Sequence, residues 1–231
     1  MAVGLWVAAP SQAAMPSRNP GLAATGTDAL GADAPTDFLG AELADLFFCL
    51  AAAFLPPPAQ VDTRAWCESL AGDLSDLGAS LGIDTTAAAA ALRGTAEKAD
   101  AAEPWLIAYS RLFLVPPVPV TLNTGMYLEG SLGGISAQMI EQCYTTAGFS
   151  RREAFRDLPD HVGTQFEFIG ALLERADEDA AAMAQEFSDK FIRHWIDPLH
   201  AALTRVAERD AAARAYAALT RAAQAALDII P

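Results

Sequence analysis

Residues 39–54 read Leu-Gly-Ala-Glu-Leu-Ala-Asp-Leu-Phe-Phe-Cys-Leu-Ala-Ala-Ala-Phe, and Pro56, Pro57 and Pro58 follow almost at once. Leu39, Leu43, Leu46, Phe47, Leu50 and Phe54 recur at steps of three and four, the stripe of an amphipathic helix. The prolines lack amide donors and stop it. The uncharged run Leu46 to Leu55 spans ~15 Å as a helix, too short for a ~30 Å hydrocarbon layer, so stable membrane insertion is not expected.

The same spacing continues towards the C-terminus. Trp66, Leu70, Leu74, Leu77 and Leu81 repeat it after an Asp62-Thr63 start, and Asp84-Thr85 caps a short alanine-rich helix expected to end near Gly94. Trp105, Tyr109, Leu112 and Phe113 mark a fourth helix that runs out at Pro116-Pro117-Val118-Pro119, with a loop to about Gly130. Leu132, Ile135, Met139, Ile140 and Tyr144 give a fifth, closed by Gly148. Val162, Phe166, Ile169, Leu172 and Leu173 give a sixth. Met183, Phe187, Phe191 and Trp195 step by four along a seventh, ended or kinked by Pro198. Leu199, Leu203 and Val206 follow, then Tyr216, Leu219, Ala223 and Leu227. No alternating β-branched run interrupts the series. The expectation is an all-α chain: one globular domain of about eight or more helices over residues 37–231.

Residues 1–36 read differently. They are rich in Ala, Gly, Pro, Ser and Thr without periodicity, and such a composition buries too little apolar surface to offset ordering entropy. A disordered leader is expected there. MAVGLWVAAP has no basic residues ahead of its apolar stretch, so it does not read as a secretory signal.

Composition excludes several function classes. The chain has 231 residues and a formal charge of −14, with 29 Asp+Glu against 15 Lys+Arg. That balance does not clamp phosphate backbones, and no nucleic-acid partner is expected. Of the 52% hydrophobic residues many are among the 51 alanines, leaving roughly 30% larger apolar residues for a core. Cys49, Cys67 and Cys143 are scattered and odd in number, which fits a reducing compartment rather than a disulfide framework. Of the three histidines, His194 and His200 lie six residues apart, about 240° round a helix, and would not face one metal ion. No GxSxG turn or activated cysteine is evident. Neither an enzyme nor a cofactor is expected.

The most informative segment is Leu158-Pro159-Asp160-His161-Val162, which leads into Gly163-Thr164-Gln165-Phe166-Glu167-Phe168. Pro159 and Asp160 suit a first helical turn, where an anion meets the positive end of the helix dipole. The same carboxylate and imidazole beside exposed helix amides would equally form a polar anchor for a bound chain. Capping and periodicity do not separate these two readings.

Tyr109-Ser110-Arg111-Leu112-Phe113, a proline-rich loop, Tyr127-Leu128, Tyr144 with Gly148, and Pro159-Asp160-His161 before a Phe166/Phe168 helix occur in a fixed order over about Glu103 to Glu174. This arrangement resembles the TorD/DmsD/NarJ family of redox-enzyme maturation chaperones. Three positions depart from that pattern: Gly125 where serine is frequent, Leu114-Val115-Pro116 where a glycine often follows Leu-Phe, and His194 directly beside Trp195. The resemblance implies a cytoplasmic, all-helical, cofactor-free chaperone. Its partner would be the apo-form catalytic subunit of a molybdopterin oxidoreductase, including its basic-apolar twin-arginine leader, held until cofactor insertion and export.

By the same resemblance the peptide site would comprise Asp160 and His161 as its polar part and Pro159 as the turn that presents them. Leu112, Phe113 and Tyr109 would form an apolar wall, with Tyr127 closing it from the loop, and Arg111 would pair with an acidic neighbour to hold its helix end. A charge of −14 would steer a cationic peptide towards it. The competing reading is a helical adaptor or regulator that binds another amphipathic segment. The expected assembly is a monomer or a helix-swapped dimer, exchanged through the loop from Pro116 to Gly125.

Overall fold

Helix α1, Ala34–Phe54, lies along α7, Val162–Leu173, and this pair forms the spine of the molecule. Two glycines on α7 let the backbones meet. A Cβ on Gly170 would come within 2.9–3.0 Å of the Phe48 ring and 3.1 Å of the Ala44 carbonyl. At Gly163 it would meet Leu55 at 2.8 Å. Small residues seven apart thus set how closely the helices approach, and Phe47 and Phe54 close over Phe166 with ring centroids 6.0 and 5.8 Å away.

The computed structural model describes residues 6–8, 34–57, 61–98, 105–151 and 157–231. Beyond the spine, α2 (Thr63–Leu81) pairs with α3 (Thr86–Lys98), and α9 (Ile196–Ala207) pairs with α10 (Ala211–Asp228). Helix α10 also packs on α1, α3 and α4 (Trp105–Phe113) through a face dense in buried alanines. Its Tyr216 is the hub of an aromatic cluster, with Phe54, Trp105 and Phe113 at centroid distances of 5.4, 5.3 and 4.8 Å. The remaining helices are α5 (Thr124–Leu128), α6 (Ile135–Thr146) and α8 (Glu178–Phe187), the last extended by a π-helical turn, Ser188–Ile192.

The caps follow the sequence chemistry. Asp62, Asp177 and Asp210 each accept from an amide three residues on, and Gly82 closes α2 in the left-handed region at φ 68°. Gly148 closes α6 at φ 78°.

The chain is all-α as expected, with four local corrections. Helix α3 does not end at Gly94 but continues to Lys98, because Leu92 and Ala96 are buried on one face and packing outweighs the ~1 kcal/mol glycine penalty. The loop after α4 contains the short helix α5. The seventh helix is broken by the π turn and by Arg193–Trp195, not by Pro198, which sits in the first turn of α9 where its missing amide is not needed.

The fourth correction concerns strands. Trp6–Ala8 (β1) pairs antiparallel with Phe149–Arg151 (β2), in the register Trp6 to Arg151, Val7 to Ser150 and Ala8 to Phe149. Of residues 1–36, only 6–8 and the first turn of α1 are described; the rest of the expected leader lies outside the described residues.

Candidate functional site

The motif residues converge on one buried knot. The segment Leu158–His161 lies antiparallel to Leu122–Thr124, with a β-bridge from Asn123 to His161; Thr124 N donates to Asp160 O at 3.0 Å, and Val162 N to Leu122 O at 2.8 Å. The Asp160 carboxylate is fully buried, and both oxygens are engaged by the chain itself. Oδ1 accepts from Asn123 Nδ2 at 3.0 Å, and Oδ2 from the Gly125 amide at 2.9 Å. Gln165 Nε2 donates to Asp160 O and to Thr124 Oγ1, and the Tyr144 hydroxyl donates to Pro159 O at 2.8 Å.

His161 is the N-cap of α7. Its Nδ1 accepts from the Gly163 amide at 3.1 Å, and its Nε2 lies 3.3 Å from the Tyr109 hydroxyl. That hydroxyl donates its single proton to Phe54 O at 3.2 Å, so its oxygen accepts from His161, and Nε2 carries the imidazole proton. Burial lowers the His161 pKa below its ordinary value, against the opposing pull of Asp157 and Asp160. Burial likewise raises the Tyr109 hydroxyl pKa.

Four of the seven candidate residues, Tyr109, Pro159, Asp160 and His161, therefore meet, but in the interior. In this conformation Asp160 offers no free oxygen to an incoming arginine. Leu112 and Phe113 are core residues, Phe113 edge-on to Tyr216, rather than a groove wall. The next two residues, Leu114 and Val115, are the exposed ones. Tyr127 stands apart from the knot: it stacks on Trp195 at 5.0 Å and donates to Thr121 O at 2.9 Å. Arg111 pairs with Asp210, the cap of α10, as expected of a residue that holds the helix end. Gly125, one of the departures from the family pattern, has a steric reason. A Cβ there would stand 2.6 Å from Ser131 O, because loop 129–134 folds back onto it.

That loop leads to a surface whose residues read, in the sequence, as part of a single helical stripe. Glu129 accepts from the amides of Ile135 and Ser136 at 2.9 and 2.6 Å and so clamps the start of α6; the Ser136 side chain foremost, and then these two amides, lower its pKa. Helix α6 carries two apolar stripes. Ala137, Ile140 and Tyr144 face inward, whereas Ile135 and Met139 face out, Ile135 with 69% of its surface exposed, and Leu132 in the preceding loop is 58% exposed. The outer stripe runs into a cavity of about 320 Å³ between α6 and α8, where Met139 and Cys143 oppose Met183, Phe187 and Phe191. Glu186 and Lys190 stand in its lining, and a shallower recess beside it adds Asp189. A helix with more apolar residues than one stripe holds was the available signal.

Burial pushes the Cys49 and Cys67 thiols up to about 12, far from the thiolate form. Among the described residues no three His, Cys, Asp or Glu side chains gather as a metal site, and no helix is long and apolar enough to cross a membrane. His194 is exposed, and His200 is held by Ala217 O and Thr220 Oγ1.

No curated protein matches the chain. The crystal structure of a protein from Archaeoglobus fulgidus, provisionally described as a redox enzyme maturation protein, superposes with a TM-score of 0.44 at 18% identity, covering 84% of this chain and 97% of that one. The family model described as nitrate reductase delta subunit matches residues 78–201, which include the motif residues of the knot, the apolar stripe and the whole cavity lining. With more than half of its length matched, the chain belongs to the nitrate reductase delta subunit family, the NarJ/TorD-type chaperones.

Proposed function

We propose that this chain is a cytoplasmic maturation chaperone without turnover of its own. It binds the precursor of a molybdenum-containing oxidoreductase subunit, through a basic-apolar twin-arginine leader, and holds it until cofactor insertion and export. The observation that carries this reading is the outward stripe Leu132–Ile135–Met139 running into the α6/α8 cavity on a chain of charge −14. Contiguous exposed apolar surface marks an interaction site, methionine lining suits a variable apolar ligand, and acidic surroundings favour a cationic flank.

In this reading Asp160, His161, Pro159 and Tyr109 are positioning residues. They hold Gly125, and loop 129–134 that rests on it, so that Glu129 can present α6 with its outer stripe exposed. Leu112 and Phe113 support them from the core, and Tyr127 anchors the far side of α5 on Trp195.

Calorimetry with a twin-arginine leader peptide and a scrambled, equally basic control tests this. Ile135→Asp with Met139→Asp should weaken leader binding at least tenfold while the helical circular-dichroism signal persists. Equal affinity for leader and scramble, or an unaffected double variant, would refute the assignment.

A further inference from the structure

Among the described residues that line the α6/α8 cavity, Glu186 is the one carboxylate. It also lines the shallower recess alongside, so it stands where the apolar hollow meets water. Two cations follow it along the chain, and both are turned to other partners. Arg193 bridges Asp189 at 2.7 Å and Asp228 at 2.6 Å. Lys190 lies four residues after Glu186, the order and spacing that pairs well on a regular α-helix. Here the π turn Ser188–Ile192 begins between them, and the Lys190 ammonium stands 5.4 Å over the Phe191 ring instead. Among the described residues the Glu186 carboxylate has neither an ion pair nor a hydrogen bond.

The remaining walls define what a cation would meet beside that carboxylate. Phe187 and Phe191 form an aromatic side with ring centroids 5.2 Å apart, and Met139 and Met183 supply adaptable apolar contacts. Cys143 places both charges around the same wall: burial raises its thiol pKa, Lys190 draws it down and Glu186 pushes it up. A guanidinium suits this set better than an ammonium. It is planar, gives two parallel N–H bonds to one carboxylate and stacks on an aromatic face, whereas an ammonium acts as a compact, strongly hydrated point charge. Lys190 holds the Phe191 ring in this conformation as the weaker of the two.

We propose that Glu186 and Phe191 form an arginine-selective subsite, in which a guanidinium of the bound segment pairs with the carboxylate and displaces the Lys190 ammonium from the ring. That the segment is a leader rests on the function proposed above; the preference for a guanidinium does not.

The test uses the full-length chain with Glu186→Gln and Lys190→Met, both at exposed positions where circular dichroism should be unchanged. In calorimetry the parent should bind a twin-arginine leader peptide about tenfold more tightly than the same peptide with both arginines replaced by lysine. Glu186→Gln should lose about tenfold for the arginine form and bind the two forms alike. Lys190→Met frees the ring and removes a like charge, and should bind the arginine form about threefold more tightly than the parent. In nuclear magnetic resonance titrations of the parent, N-acetyl-arginine amide should shift the backbone amides of residues 186–191 more than N-acetyl-lysine amide, and in Glu186→Gln the two should act alike. A leader that binds the parent, and binds Glu186→Gln with its arginine preference intact, overturns the subsite and leaves the chaperone reading standing. A leader that binds no chain, while the arginine amide keeps its Glu186-dependent effect, overturns that reading and leaves the subsite. Equal shifts from the two amides in the parent overturn the subsite in either case. Unchanged or weaker leader binding by Lys190→Met overturns the displacement of Lys190.

Discussion

The knot around Asp160 and the outer stripe of α6 stand on opposite sides of one short loop and are built on opposite terms. The knot is dense in recognisable motif residues, is buried, and uses nearly every polar atom on its own chain. The stripe has no motif at all, yet it leaves large apolar side chains in water beside a cavity. Distinctive residues mark where the fold is tied together; the surface free to meet a partner is chemically plain. A buried carboxylate without its partners is costly, so the knot tolerates few substitutions, whereas an exposed aliphatic surface tolerates many.

If that contrast holds, stability should respond steeply at the knot and barely at the stripe. Asp160→Ala removes the acceptor for the Gly125 amide and the Asn123 carboxamide and should cost about 2–4 kcal/mol in denaturant unfolding. A cost under 1 kcal/mol would mean that water replaces the carboxylate and that the knot is less closed than its geometry indicates.

Gly170→Ala probes the spine that carries the knot. Its methyl would overlap the Phe48 ring and crowd the Ala44 carbonyl, and about 1–3 kcal/mol should be lost as α1 shifts off α7. A neutral result would show that Phe48 swings aside freely.

His161 gives the contrast a pH dependence. Its folded pKa is depressed by burial, so below about pH 6.5 the unfolded chain binds the extra proton more readily. The stabilisation is complete above pH 6.5, declines as pH falls towards the folded value, and then levels off. A second proton would go to Nδ1 and face the Gly163 amide donor to donor. His161→Asn retains an acceptor for the helix amide and should flatten the slope, leaving a contribution from His200, whose pKa is also lowered by burial. An unchanged slope in denaturant titrations from pH 7.5 to 5 would assign it to other groups.

At the stripe, Ile135→Asp with Met139→Asp should change stability by no more than about 0.5 kcal/mol, since both side chains already contact water. A larger loss would place the outer stripe in the core and remove it as a docking surface.

Helix positions, most caps and the all-α class were legible in the linear pattern, because periodicity and capping are local chemistry acting over three or four residues. Asp62 starts α2 as it reads, and a helix does follow Pro159-Asp160-His161, but its first turn begins at Val162 after the His161 cap, which leaves Pro159 and Asp160 ahead of the helix rather than in its first turn. The same locality explains the misreadings. Gly94 signals an end only if nothing distant packs beside it, and Ile135 and Met139 fit a helical stripe whether or not a neighbour covers it.

Spacing along the chain also said that Asp160 sits by helix amides, but not which groups would claim its oxygens. Asn123 and Gly125 lie more than thirty residues away, and only folding brings them within 3.0 Å. The strand pair is the extreme case, because Trp6 and Arg151 have no relation until the helices between them have packed. Local chemistry determined which segments coil and where they stop. Burial, which depends on distant neighbours, decided which polar groups were used up inside and which apolar ones remained outside for a partner.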